Sequence, residues 1–71
     1  MKTAPLLTER RQEIVVALRH FPGMSTREVA EAIAVDEGTA DYHLRRLRQA
    51  GVVIRRRYGR CLAHYLSGVS P

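Results

Sequence analysis

Two helix-start signals constrain this chain more than any other feature of it. Ser25 is followed three residues later by Glu28, the spacing of a capping box, in which each side chain satisfies the other's free backbone amide. Met24, just before it, can pack on Val29 as a hydrophobic staple, and Val29, Ala30 and Ile33 then face inward. The apolar pattern breaks at Ala34-Val35, and Asp36 is the second cap. The helix it starts has Ala40, Leu44 and Leu47 as its inward positions and is closed by Gly51 at C′. About four residues therefore join two short helices, each with one apolar stripe to bury.

The flanking segments supply the rest of the core. Residues 1–7 contain Pro5 and no periodic face, and read as an arm. Thr8 can cap a helix from about Glu9 to His20 with Ile14, Val15, Leu18 and Phe21 on its inner side, and Pro22-Gly23 stops it. After Gly51, Val52-Val53-Ile54 is β-branched and too close to the helix end to begin another, so it reads as a strand. Tyr58-Gly59-Arg60 supplies a turn, Cys61 to Leu66 returns as the hairpin partner, and residues 67–71 form a tail. Seventy-one residues with 45% hydrophobic content fit one folded domain near the lower size limit for a core without staples.

Charge is segregated along this frame. Residues 1–44 hold five bases against seven acids, whereas residues 45–71 hold seven arginines and no acid. An excess confined to the last helix and the hairpin is the footprint of a polyanionic partner.

The order of three helices and a hairpin resembles the winged helix-turn-helix superfamily. The segment MSTREVAEAIAVDEGTADYHLRRLRQAGVVIRRRYGRCLAHYLS is similar to the DNA-reading unit of ArsR-type and MarR-type bacterial repressors, most specifically where YHLRRLRQAGVV runs into RRRYGR. The likeness covers about Leu7 to Ser67. It implies a mainly α fold with a small β-hairpin, a three-helix bundle plus wing spanning residues 8–66. It also implies a transcriptional regulator, of repressor type, that binds double-stranded DNA.

Within that reading the third helix, about residues 37–50, is the candidate for the major groove, which admits an α-helix and displays distinct base edges. Its outer face presents Glu37, Gly38, Asp41, Tyr42 and Arg45. Gly38 lets the backbone approach DNA closely or is simply a weak point in a capped helix. Thr39 can donate to a phosphate or form its own cap bond. Tyr42 can stack on sugar, touch a thymine methyl or pack against the hairpin. Arg45 has the fork that matches guanine O6 and N7, while Arg46 and Arg48 lie toward the helix flank as phosphate contacts or a solvated face. Asp36, Glu37 and Asp41 oppose phosphate, although the first two suit the positive helix end and a groove carboxylate can accept from cytosine. Arg55, Arg56, Arg57 and Arg60 surround the hairpin turn, where they can enter a minor groove, clamp its backbone, or merely solubilise an edge strand.

Other chemistries find little support. The lone Cys61 closes no intrachain disulfide, and its offset of three from His64 sets the two on opposite strand faces, so metal and cofactor are not expected. His43 reads as a partly buried helix residue, and His20 as a helix C-terminal charge. No nucleophile and base arrangement, phosphate loop or catalytic acid pair is present, and a regulator, not an enzyme, is expected. No stretch has the pattern of a membrane span or signal peptide, which with the single cysteine fits a cytoplasmic setting. A homodimer on two half-sites is expected, with contacts from the arm, the first helix or the hairpin edge, since the helices that ArsR-type and MarR-type dimers use lie beyond the winged unit. The competing reading is a winged-helix protein interaction module in a larger assembly; RNA binding is disfavoured by the sparse aromatics.

Overall fold

The three apolar stripes meet in one core. A computed structural model of the chain describes residues 9–68. It contains α1 (Glu9–His20), α2 (Thr26–Ile33), α3 (Glu37–Gln49) and an antiparallel hairpin of β1 (Val53–Tyr58) and β2 (Cys61–Leu66). This is the winged helix-turn-helix expected from the sequence. The arm at 1–7, the expected Thr8 cap and the last three tail residues lie outside the described residues.

Side-chain chemistry sets the helix starts. The Ser25 hydroxyl accepts from the Glu28 amide at 3.1 Å, and the Glu28 carboxylate accepts from the Ser25 amide at 2.9 Å. Asp36 accepts from the Thr39 amide at 3.1 Å and from its hydroxyl at 2.6 Å. Between the two helices Ala34 takes a left-handed conformation, φ 60°, which lets its amide turn back to the carbonyls of Ala30 and Glu31. An L-residue there costs roughly 1–2 kcal/mol, a strain that the sequence pattern does not reveal.

Ile14 and Leu18 of α1, Val29, Ala30 and Ile33 of α2, Ala40, Leu44 and Leu47 of α3, and Val53 of β1 form the buried cluster. Full burial of each large aliphatic side chain contributes roughly 1.5–3 kcal/mol. Met24, Val35, Val52 and Leu66 pack around it. The expected inner face of α1 needs one correction. Phe21 is 67% exposed, because α1 ends at His20 and the helical period no longer directs a side chain beyond that end. Val15 sits half-buried at the margin.

The hairpin is slightly tighter than expected. Tyr58 still pairs with Cys61, leaving Gly59-Arg60 as the two-residue turn, with φ +61° at Gly59. Val52 precedes the strand and bonds the Leu47 carbonyl through its amide at 2.9 Å. Met24 bridges β2 as a single third-strand residue: Gly23 N–H donates to the His64 carbonyl at 2.8 Å and His64 N–H to the Met24 carbonyl at 2.9 Å. The wing is thus fastened to the loop between α1 and α2.

Candidate nucleic-acid interface

With Ala40, Leu44 and Leu47 buried, α3 turns Gly38, Tyr42 and Arg45 outward, as the spacing predicts. Arg45 donates to Asp41 at 3.0 Å, so the candidate base reader is held in a helix-face ion pair one turn from its own Cα. Glu37 is exposed in the first turn. A Cβ at Gly38 would lie 3.2 Å from Asp36 Oδ2, which gives that glycine a local reason: it leaves room for the cap. The Thr39 hydroxyl makes the cap bond, and that bond together with the Thr39 amide holds the Asp36 carboxyl below its ordinary range.

The two flanks of α3 differ. Arg46 and Arg48 project roughly 160° apart at 3.6 residues per turn: Arg46 is exposed, and Arg48 is half-buried. Toward α1, the Arg11 guanidinium lies 5.9 Å from the centre of the Tyr42 ring, and Arg11 Nε donates to His43 Nδ1 at 3.4 Å. Tyr42, 51% exposed, is therefore flanked by α1 and by His43, whose ring meets it edge-on at 5.5 Å. Burial, then the charges of Arg11 and Arg10, push the His43 pKa below its usual value.

Strand register sorts the wing arginines. Val53, Arg55 and Arg57 pair with Leu66, His64 and Leu62 and share a face with them, the face whose root enters the core. Arg56 and Tyr58 lie on the other face, opposite Ala63 and Cys61, and Arg60 sits in the turn. All four arginines are exposed. The Tyr65 hydroxyl lies against Gly23, and its pKa is raised, chiefly by Tyr58 and then by burial. Cys61 is exposed and His64 buried, the opposite-face placement inferred from their spacing, and among the described residues no group of three or more His, Cys, Asp or Glu could hold a metal ion.

A cleft of about 250 Å³ joins this wing to the starts of both helices, lined by Thr26, Arg27, Glu37, Arg60 and Cys61 among others. Thr26 and Arg27 were not singled out in the sequence, since one threonine and one arginine at a helix start stand out from no background. His64 was also missed as a structural residue. Its signal was there: Leu62, His64 and Leu66 alternate on one strand face, which makes the histidine inward with the leucines.

Among solved structures, the PcaV transcriptional regulator from Streptomyces coelicolor is similar over 86% of this chain and 45% of its own, with a TM-score of 0.81 and 26% identity. The homodimeric winged helix-turn-helix DNA-binding domain of a possible ArsR-family transcriptional regulator from Mycobacterium bovis is similar over 89% of this chain and 57% of its own, with a TM-score of 0.82 and 27% identity. Reduced HlyU from Vibrio cholerae matches over 86% of this chain and 63% of its own, with a TM-score of 0.78 and 26% identity. The chain thus spans about half to two thirds of the length of these structures. No curated protein matches it in sequence. The model of the bacterial regulatory protein, arsR family, matches residues 8–55, which include all three helices and the first three residues of the wing's leading strand. With the fold and the cationic helix and wing in place, that match assigns the chain to the arsR family of bacterial regulatory proteins.

Proposed function

We propose that this chain is a sequence-specific, double-stranded DNA-binding transcriptional regulator of repressor type. In this reading α3 enters the major groove, and the wing lies on the neighbouring backbone or minor groove. The observation that carries it is the run of exposed or half-exposed arginines from the outer face of α3 to the wing tip: Arg45, Arg46, Arg48, Arg55, Arg56, Arg57 and Arg60. Among the described residues their one ion pair with an acid is Arg45–Asp41. A polyanion with regular phosphate spacing matches such a surface, and base-edge hydrogen bonds would add the sequence choice. Glu37, Gly38, Thr39, Asp41 and Tyr42 complete the proposed contact set on α3. The domain would comprise residues 8–66, with residues 1–7 as arm and 67–71 as tail, working in the bacterial cytoplasm as a homodimer and without catalytic activity.

Protein binding is the second reading, favoured by exposed Phe21 and a cleft of about 620 Å³ beside it, lined by Pro22, Met24, Glu28 and Glu31 among others. Gel-shift against genomic fragments at low and high salt separates the two. A DNA-binding regulator retains a subset of fragments as salt rises, whereas failure to shift any fragment even at low salt would remove the DNA reading.

A further inference from the structure

One contact on the outer face of α3 comes from another helix. Tyr42 stands half in solvent there, and the Arg11 guanidinium of α1 lies over its ring, 5.9 Å from the centre. Arg11 is itself half-buried, and its Nε–H donates to His43 Nδ1 at 3.4 Å. His43, the next residue of α3, meets the Tyr42 ring edge-on at 5.5 Å. The three side chains therefore close a triangle in which every side is a contact. Arg10, the neighbouring base, turns elsewhere: its Nη1 donates to Glu13 at 2.9 Å and to the Ile33 carbonyl at 3.1 Å.

The chemistry of the corners is matched. A histidine nitrogen that accepts carries no proton, so His43 is neutral with its proton on Nε2. Burial, then the charges of Arg11 and Arg10, push its pKa down and favour that form. A guanidinium is flat and weakly hydrated, so it can lie on the negative face of an aromatic ring, and anchoring its Nε to α3 fixes the plane. With Arg11 over one face of Tyr42 and His43 at its edge, the opposite face is the one left for an incoming group.

We propose that Arg11 is a positioning residue for Tyr42: from α1 it caps one face of the ring and holds it so that the opposite face meets a sugar or a thymine methyl, which brings α1 into sequence choice. The role toward DNA rests on the DNA-binding reading; the clamp itself does not. A ring already held gives up less freedom on binding than a loose one. Only a sequence that offers the ring its partner gains from this, so the clamp acts on selectivity and leaves attraction to phosphate unchanged.

The test has two arms. In the free protein, the side-chain proton resonances of Arg11 are expected to be displaced upfield by the Tyr42 ring and to lose that displacement in Tyr42→Ala; resonances indifferent to Tyr42 overturn the clamp. In the second arm, affinities for the preferred site and for random duplex are measured at several salt concentrations. Arg11→Met keeps the aliphatic stem and removes the guanidinium. It is expected to lower the ratio of the two affinities about two- to fivefold, the size of a cation–π contact at an exposed site, with the salt slope of the parent. Tyr42→Ala should lower the ratio at least as far, and the double variant no further than Tyr42→Ala alone. A parental ratio in folded Arg11→Met, or additive losses in the double variant, overturns the positioning role. Equal losses on both DNAs with a slope lowered by about 0.9 also overturn it and make Arg11 a phosphate contact. If thermal melting shows that Arg11→Met is unfolded, Arg11→Gln is read by the same criteria. A parent that binds no DNA removes the DNA reading and the selectivity role with it, while the resonance arm still decides the clamp.

Discussion

Arg45 and His64 show how one residue's neighbours decide what it can do. Arg45 lies on the outer face of α3 but is held by Asp41, so on the proposed reading guanine recognition would exchange a carboxylate partner for O6 and N7. Such exposed i,i+4 pairs are worth only about 0.3–0.5 kcal/mol, whereas a bidentate base contact discriminates by roughly 1–3 kcal/mol; the exchange therefore favours DNA. Arg45→Ala should cost about 1–3 kcal/mol on the preferred site and relax one base-pair choice, with a smaller loss on random DNA. Selection of bound sequences from a random pool checks this, and an unchanged motif would make Arg45 a phosphate contact. His64 governs pH instead. Burial lowers its pKa from the ordinary 6.5, and the Arg48 and Arg55 charges act the same way. Below about 6.5 the unfolded chain takes up a proton that the folded ring refuses, so stability present above that pH is lost as pH falls toward the folded pKa. The loss is at most about 1.4 kcal/mol per pH unit. His43 is shifted in the same direction, while the lowered Asp36 carboxyl acts only in the acid range below its ordinary 3.8. Denaturant melts across the neutral to mildly acid range should show the slope in the parent and a shallower one in His64→Gln; equal slopes would place the titration elsewhere.

At the scale of elements, the hairpin divides its arginines by register. Arg57 shares the inner face with Arg55 and His64, Arg56 points to the other face, and Arg60 caps the tip. One groove wall cannot meet both faces equally, so a clamp around a narrow minor groove uses this arrangement better than a flat approach does. Replacing Arg56, Arg57 and Arg60 by Ala should weaken binding to all sequences alike and lower the slope of log K against log salt by about 0.9 for each lost phosphate contact. Titration at several salt concentrations measures this, and an unaltered slope would take the wing off the DNA. Helix starts were legible because each rests on local rules, Ser25 with Glu28 and Asp36 as a cap both following from spacing, whereas the hairpin was legible as two strands about a turn but not in its register, since Tyr58 pairs with Cys61 instead of standing in the turn. Phe21 and Arg48 were not legible either. Phe21 left the core because the helix stopped one residue earlier, and Arg48 is half-buried through packing beyond α3, which no period within that helix encodes. The outer face of α3 was likewise readable from Ala40, Leu44 and Leu47, whereas the partners of its polar residues, Asp41 for Arg45 and Arg11 for Tyr42, depend on rotamer and tertiary placement.

For the whole molecule, the limiting quantity is discrimination. On the proposed reading a single helix and wing would make few base contacts, and the same arginines would bind the backbone of every competing genomic site, so a second copy would be the direct route to selectivity. Two-fold symmetry would then place the recognition helices about one DNA turn apart on a palindromic site. The solved Mycobacterium bovis domain, similar over 89% of this chain, is itself described as homodimeric. On the described surface, Val16 and Phe21 are large apolar residues exposed along α1 and just after it, 49% and 67%. Leu6 and Leu7 belong to the arm, one of the contacts expected from the sequence, and lie outside the described residues. A contact through α1 leaves α3 and the wing free for DNA, whereas a contact through the hairpin edge would compete with Arg56 and Tyr58. Val16→Glu should therefore separate the copies with little effect on the fold, since that side chain is half in solvent already and no buried core atom is lost. Sedimentation of the parent with and without DNA should give two copies per palindromic site, and Val16→Glu should bind half-sites with the parental base preference but lose cooperative filling of the full site. A parent that sediments as a monomer, bound one-to-one to a non-palindromic site with no second copy joining, would refute the dimer.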